Sequence, residues 1–111
     1  MRGNSLFIDN QEYCYFCGAK AHGTHHMIFG TGVRDIADVD GVFAPICDEC
    51  HTIGKSLMGF SKESRIHDNV MAEKLSKMLG QCMWEKHQVA EGITEEAARV
   101  LFRRRYGKSY L

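Results

Sequence analysis

An α+β fold is predicted for this chain of 111 residues: a small hairpin-and-helix unit carrying two further helices on its C-terminal side. Three observations carry the prediction. Two C-x2-C pairs, Cys14-Tyr-Phe-Cys17 and Cys47-Asp-Glu-Cys50, bracket a glycine-rich stretch that holds only short apolar pieces. From Asn69 to His87, apolar side chains recur every three or four positions. From Thr94 to Gly107 the chain shows the start and stop signals of a helix. With 44% apolar and 25% charged residues it is ordinary globular material. Its length suits one domain over residues 1–111, with a cysteine-rich core at about 12–67 and helices at about 68–111.

In chain order, Met27-Ile28-Phe29 and Val42-Phe43-Ala44 fit two short strands with a loop between them. From Cys50 the pattern is helical for about two turns, ending near Gly59. In the long helix, Val70, Met71, Leu75, Met78, Leu79, Cys82 and Met83 fall on one face, which could bury against the chain's own domain or against a second copy; Cys82 is most simply a buried small hydrophobe. In the last helix Thr94 offers an N-cap hydroxyl and Glu95 and Glu96 sit where the helix dipole favours anions, while Gly107 follows the final turn. Its expected apolar face is Ala97, Ala98, Leu101 and Phe102. Tyr13, Tyr15, Phe16 and Trp84 are read as packing residues.

The 29 residues between the two cysteine pairs allow them to meet in space. Two residues between thiolates form a tight turn that aims both sulfurs at one ion, so two such knuckles complete a tetrahedral zinc site. A redox C-x-x-C pair is the competing reading. A zinc staple suits a chain with so small a core. No apolar run approaches the ~20 residues of a membrane span, and MRGNSLFIDNQEY lacks the apolar stretch of a secretion signal. A cytoplasmic protein with reduced thiols is therefore expected.

Net charge is zero, but residues 1–50 carry three basic and seven acidic side chains, and residues 51–111 eleven basic and seven acidic. Arg99, Arg103, Arg104, Arg105 and Lys108 fall within ten positions. That stripe is either a solvated helix face or a phosphate-neutralising surface.

Six histidines remain: His22, His25, His26, His51, His67 and His87. Thiolates at one zinc would bring the Cys47/Cys50 element against the hairpin, placing His51 near His25 and His26, with His67 able to close the cluster. Three imidazoles can hold a divalent ion and leave positions open, and a fourth can take a proton from water. The plainer alternative is a set of scattered polar residues or additional zinc ligands.

The string Cys14-x2-Cys17, His25-His26-Met-Ile-Phe-Gly30, Pro45-Ile-Cys47-x2-Cys50-His51 and His67, closed by Phe102-Arg-Arg-Arg-Tyr106-Gly107-Lys-Ser-Tyr110, resembles the HNH (ββα-metal) endonuclease family. It is most similar to the short HNH proteins of phages and prophages, over roughly residues 14–111. The resemblance implies a zinc-stapled ββα-metal, treble-clef-like fold in a protein acting on DNA in a bacterial cytoplasm. It implies His26 as general base and His25, His51 and His67 as ligands of one catalytic cation, Mg²⁺, Mn²⁺, Ni²⁺ or Zn²⁺. Cys14, Cys17, Cys47 and Cys50 match the structural zinc site. Arg34 matches a position where relatives carry a phosphate-contacting arginine, and Lys55 one where they carry a ligand or a basic residue. Lys55, Arg103, Arg104, Arg105 and Lys108 are the candidate DNA contacts. The implied reaction is hydrolysis to a 5′-phosphate and a 3′-hydroxyl, with charge on the departing oxygen stabilised by the ion.

Two departures stand out. Val42 occupies the place of the family's middle Asn, which helps to orient the base; a backbone carbonyl could substitute. Thr52–Ile66 reads as an insertion ahead of His67. A second reading is therefore a non-catalytic zinc module that binds DNA or a protein partner, for example a phage protein or a second copy of the chain.

Overall fold

The computed structural model describes residues 2–51 and 65–111; Lys55 and the helical reading from 52 to 59 lie outside the described residues. The architecture is α+β. Strand β1 (Gly23–His26) pairs antiparallel with β2 (Phe43–Ile46), His25 facing Ala44 and His26 facing Phe43. Helix α1 (Arg34–Asp40) lies between them, and the short α2 (Asp48–His51) follows β2. After a 3-10 turn (Ile66–Asp68) come the long α3 (Val70–Ala90) and α4 (Glu95–Tyr106). Among the described residues no helix is long and apolar enough to cross a membrane.

The strands differ from the sequence expectation. The first ends at His26 instead of beginning there, and the connection contains a helix, not only a loop. Met27 and Ile28 are fully buried beyond the ladder. Their apolar character marked burial under the helices, and burial alone does not distinguish a strand from the turn that follows it. Helix α1 stops at Gly41, whose backbone (φ +81) is left-handed and whose Cβ, if present, would strike the Asn4 carbonyl.

The caps of α4 are as read. The Thr94 side chain accepts from Ala97 N at 3.1 Å, and Gly107 (φ +87) closes α4. Asn69, which sequence reasoning did not name as a cap, accepts from Ala72 N and starts α3.

The apolar face of α3 is not buried against the chain's own domain. Val70 (71% exposed), Met71, Leu75, Met78, Leu79 and Cys82 are all exposed, whereas Ser76, Gly80, Gln81 and Trp84 are buried. Small size is the physical reason. A Cβ on Gly80 would sit 2.8 Å from Ile28 Cγ1 and 3.0 Å from Val42 Cγ1, so the helix backbone lies directly on the hairpin's apolar side chains. Ser76 and Gln81 tolerate burial because their polar atoms are bonded: Ser76 Oγ donates to Met27 O (2.8 Å), and Gln81 Oε1 accepts from Tyr110 N (2.6 Å). In α4 the inner face is Ala98, Phe102 and Tyr106; Ala97 and Leu101 face outward. Of the aromatic residues read as packing, Trp84 is buried, and Tyr13, Tyr15 and Phe16 are largely exposed.

One core of Met27, Ile28, Ala37, Val42, Ala44, Trp84, Phe102 and Tyr106 joins the hairpin to both long helices. Its polar rim is Asp40, whose carboxylate accepts from Trp84 Nε1 (3.0 Å), from Tyr106 Oη (2.9 Å) and twice from Arg105. A second, smaller cluster consists of Cys14, Ile46, Cys47, Cys50 and Ile66.

Gly80→Ala tests the close approach. Alanine is the better helix former by about 1 kcal/mol, yet crowding against Ile28 and Val42 should lower stability by about 1–3 kcal/mol in a denaturant melt. A variant as stable as the parent would show that α3 stands further from the hairpin.

Candidate metal centre

Two side-chain clusters lie at the open end of the hairpin. The first is built by the cysteine knuckles. Cys14 N donates to Ala19 O (2.6 Å) and Gly18 N to Cys14 O (3.0 Å), forming the tight turn that presents Cys14 and Cys17. Cys47 and Cys50 flank the start of α2, where His22 Nδ1 accepts from Asp48 N (3.1 Å). All four sulfurs lie within 4.8 Å of one another, and Cys17 Sγ is 3.6 Å from Cys47 Sγ. That separation is far beyond the ~2.05 Å of a disulfide and close to the ~3.8 Å edge of a tetrahedron with Zn–S bonds of about 2.3 Å.

The thiol chemistry fits a cation. Burial opposes ionisation of Cys14, but backbone N–H groups of Cys47, Cys17 and Phe16 outweigh it and lower its pKa to about 7. Burial, then the Cys47 and Cys17 thiols, push Cys50 up. Four clustered thiols cannot all ionise against one another, and a bound zinc removes that conflict.

The second cluster is His25, His51 and His67, with one ring nitrogen from each within 4.8 Å of the others. Their tautomers follow from their partners. The Ser76 hydroxyl donates to Met27 O, so at 2.8 Å from His25 Nε2 its oxygen accepts, and His25 carries its proton on Nε2. Its Nδ1 is buried and has no hydrogen-bond partner among the described residues. Such an orphan lone pair is costly unless something binds it. His67 Nδ1 donates to Glu73 Oε2 (2.9 Å), leaving Nε2 as a lone pair 3.1 Å from His51 Nε2. With His67 Nε2 as acceptor, His51 Nε2 is the donor across that contact; in the other His51 tautomer the two nitrogens would suit adjacent positions on a cation with bonds of about 2.0–2.1 Å. Carboxylate and hydroxyl partners of this kind orient metal-binding histidines. Burial first, then the neighbouring imidazoles, lower His25 to about 3 and also lower His51, so both are neutral and available as ligands at pH 7.

His26 and Arg34 line the same cleft, a cavity of about 180 Å³ shared with Thr24, Phe29 and the three imidazoles. His26 Nε2 is 2.8 Å from Asp38 Oδ1, and Arg34 Nε approaches His26 Nδ1 at 3.4 Å. The partner of His26 is therefore a side chain and not the backbone carbonyl that the sequence left open. Asp38 is itself held by Arg2 Nε at 2.8 Å. The hydrogen bond from His26, and then the Arg2 charge, hold its carboxyl below the usual range. Val42, where the family's Asn would stand, is fully buried in the core.

Sequence reasoning thus named the four cysteines and the histidines that converge, but not Asp38, Ser76, Glu73 or Phe29. Glu73 and Ser76 share a face of α3 three residues apart, just after His67; that spacing was the available signal. Among the expected nucleic-acid contacts, Arg105 is bonded to Asp40 and Arg103 and Arg104 are exposed on α4. None of the three lines the histidine cleft. Of the other histidines, His22 bonds the start of α2, and exposed His87 lies 3.9 Å from Glu91.

Comparison with protein families, with curated proteins and with solved structures found no match.

Two outcomes are expected. Cys47→Ala should lose the zinc and the cooperative melting transition, measured by metal analysis and circular dichroism; a variant that melts like the parent would refute a structural zinc. Ser76→Ala and Glu73→Gln should keep the cysteine-bound zinc while weakening Ni²⁺ or Mn²⁺ binding at the histidines by about 10–100-fold in calorimetric titration.

Proposed function

We propose that this chain is a metal-dependent DNA endonuclease of the HNH (ββα-metal) type. The single observation carrying the reading is the convergence of three imidazoles, at His25, His51 and His67, beside a fourth whose two nitrogens have different partners. The sequence resemblance supports the same assignment of roles. The buried, unpartnered Nδ1 of His25 in a cluster with His51 and His67 supports a ligand set over a scatter of polar histidines.

His25 Nδ1, His51 Nε2 and His67 Nε2 would hold the divalent cation, which supplies Lewis-acid stabilisation of charge on the phosphate and on the departing 3′ oxygen. The chain's own residues do the rest. Asp38 accepts the Nε2 proton of His26, which fixes the tautomer and leaves the Nδ1 lone pair as the base. Nδ1 takes a proton from water as the water oxygen bonds to phosphorus and the bond from phosphorus to the 3′ oxygen breaks. The resulting imidazolium stays paired with the Asp38 carboxylate. Arg34 Nε donates to Nδ1 at 3.4 Å and would turn from it to a phosphate oxygen, freeing the lone pair for water. Phe29 packs edge-on against His67, with centroids 4.7 Å apart, and walls the cleft on that side.

The test is nicking of supercoiled plasmid by chelator-treated, zinc-reconstituted protein, with Mg²⁺, Mn²⁺, Ni²⁺ or Zn²⁺ restored in turn. Cleavage should require the added cation. It should fall by on the order of 10²-fold or more in His26→Ala with both metal sites still filled, and by less in Asp38→Ala. Absence of cleavage with every cation, from protein that holds its cysteine-bound zinc, would favour the non-catalytic binding module.

A further inference from the structure

We propose that the cleft between α3 and the chain's tail is a DNA-backbone track, in which Lys74, Lys77 and Lys108 hold phosphates of the strand that enters the histidine cleft. The proposal rests on the nuclease reading, because it takes the histidine cleft as the place where the strand is cut.

The cleft has a volume of about 340 Å³ and is lined by Lys74, Lys77, Met78, Lys108, Ser109 and Tyr110, with three ammonium groups and no carboxylate. Two features separate it from an ordinary solvated helix face. The first is how the lysines are held. Lys77 Nζ lies 4.5 Å from the Phe29 ring centroid and 5.7 Å from that of Tyr110, and Lys108 Nζ lies 5.2 Å from Tyr110. An aromatic face positions an ammonium without cancelling its charge, whereas a carboxylate would neutralise it. Arg2, Arg65, Arg99 and Arg105 each pair with a carboxylate, Arg2 while also lying over the Phe43 ring. Among the described residues the three lysines have no such ion pair.

The second feature is that the tail forming one wall is fixed from inside. Gln81 is completely buried, and its amide spans the wall: Oε1 accepts from Tyr110 N (2.6 Å) and Nε2 donates to Ser109 Oγ (3.0 Å). This buried amide, whose Nε2 also donates to Glu85 Oε2 (2.6 Å), ties two consecutive tail residues to α3 and so keeps Tyr110 and Lys108 in register with it. The site is thereby preorganised, which lowers the cost of ordering on binding.

Continuity with the histidines follows from Phe29. The ring that carries Lys77 on its face also contacts His67, with centroids 4.7 Å apart, and lines the histidine cleft. The ammonium is thus no farther from the His67 ring than those two legs combined, within reach of the phosphates flanking a cut bond. Lys74 stands one turn back along the same helix face, about 5–6 Å away at Cβ. The arginines of α4 serve another surface. Arg104 and Arg105 line a separate groove with Trp84, Gln88 and Leu101.

The experiment is fluorescence anisotropy of a short labelled DNA duplex, titrated with zinc-loaded full-length chain across a salt series without other divalent cations. Each lost phosphate contact lowers the slope of log K against log salt by about 0.9. The triple variant Lys74→Gln, Lys77→Gln, Lys108→Gln should therefore lose about 2–3 from the slope and bind at least about tenfold more weakly at 0.1 M salt. Lys86→Gln, at an exposed lysine outside the cleft, should keep the parent slope, and thermal melts should show both variants folded. A folded triple variant with the parent slope overturns the proposal, as does a parent that does not bind the duplex, or one that binds RNA duplex more tightly with the same lysine dependence. A slope change seen in protein that cuts with no cation leaves the track standing and overturns only the nuclease reading.

Discussion

The histidine cleft depends on how closely α3 lies on the hairpin. That closeness is set at Gly80, where no Cβ intervenes between the helix backbone and Ile28, Val42 and Met27. A glycine in mid-helix ordinarily costs about 1 kcal/mol, offset here by three close-packed aliphatic neighbours. One turn earlier, the same closeness brings Ser76 within bonding distance of both the Met27 carbonyl and His25. The hydroxyl has a single proton, already given to the carbonyl, so the imidazole must be the donor. A core-packing constraint thereby fixes which His25 nitrogen is left as a lone pair. A further turn towards the start of the helix, Glu73 does the same for His67.

The thiol cluster governs the other half of the cleft. Its apolar companions are few, Ile46 and Ile66 with Ala72 packed against them, so this end of the molecule has little hydrophobic burial of its own. The cysteine-bound cation is expected to supply what that core lacks. Two of the three converging imidazoles are adjacent in sequence to members of this cluster, His51 to Cys50 and His67 to Ile66. The third comes from β1. The cleft is therefore a seam between two small cores, and this explains how residues so distant in sequence approach one another without a large sheet to carry them.

Sequence legibility followed the same division. Features that depend on a few local atoms were readable: the C-x2-C turns, the Thr94 cap, the Gly107 stop, and the histidines beside the knuckles. Features that depend on which surface meets which were not. The apolar stripe of α3 predicted a buried face, yet the helix buries Ser76, Gly80 and Gln81, which read as solvent positions until their partners are known. Asp38 gave no signal at all. It is one of three acids in a seven-residue helix, Asp35, Asp38 and Asp40, and only the fold determines that Asp38 meets His26 while Asp40 caps the core.

Net neutrality, which at first argues against a nucleic-acid partner, conceals how the charges are used. Asp38, Asp40, Glu73 and Glu85 each accept from a histidine or an arginine, so their charge is spent on positioning groups inside the fold. Glu73 would otherwise lie near Lys74 and Lys77 on the same helix, but its carboxylate is turned to His67. At the α3 cleft two of the three ammonium groups lie over aromatic rings, near His25 and His51, which burial keeps neutral. A polyanion approaching that face meets attraction that falls with added salt, although the chain as a whole carries no net charge. Counting residues reports the sum of charges, whereas a binding partner responds to the few that the fold leaves unpaired at one place.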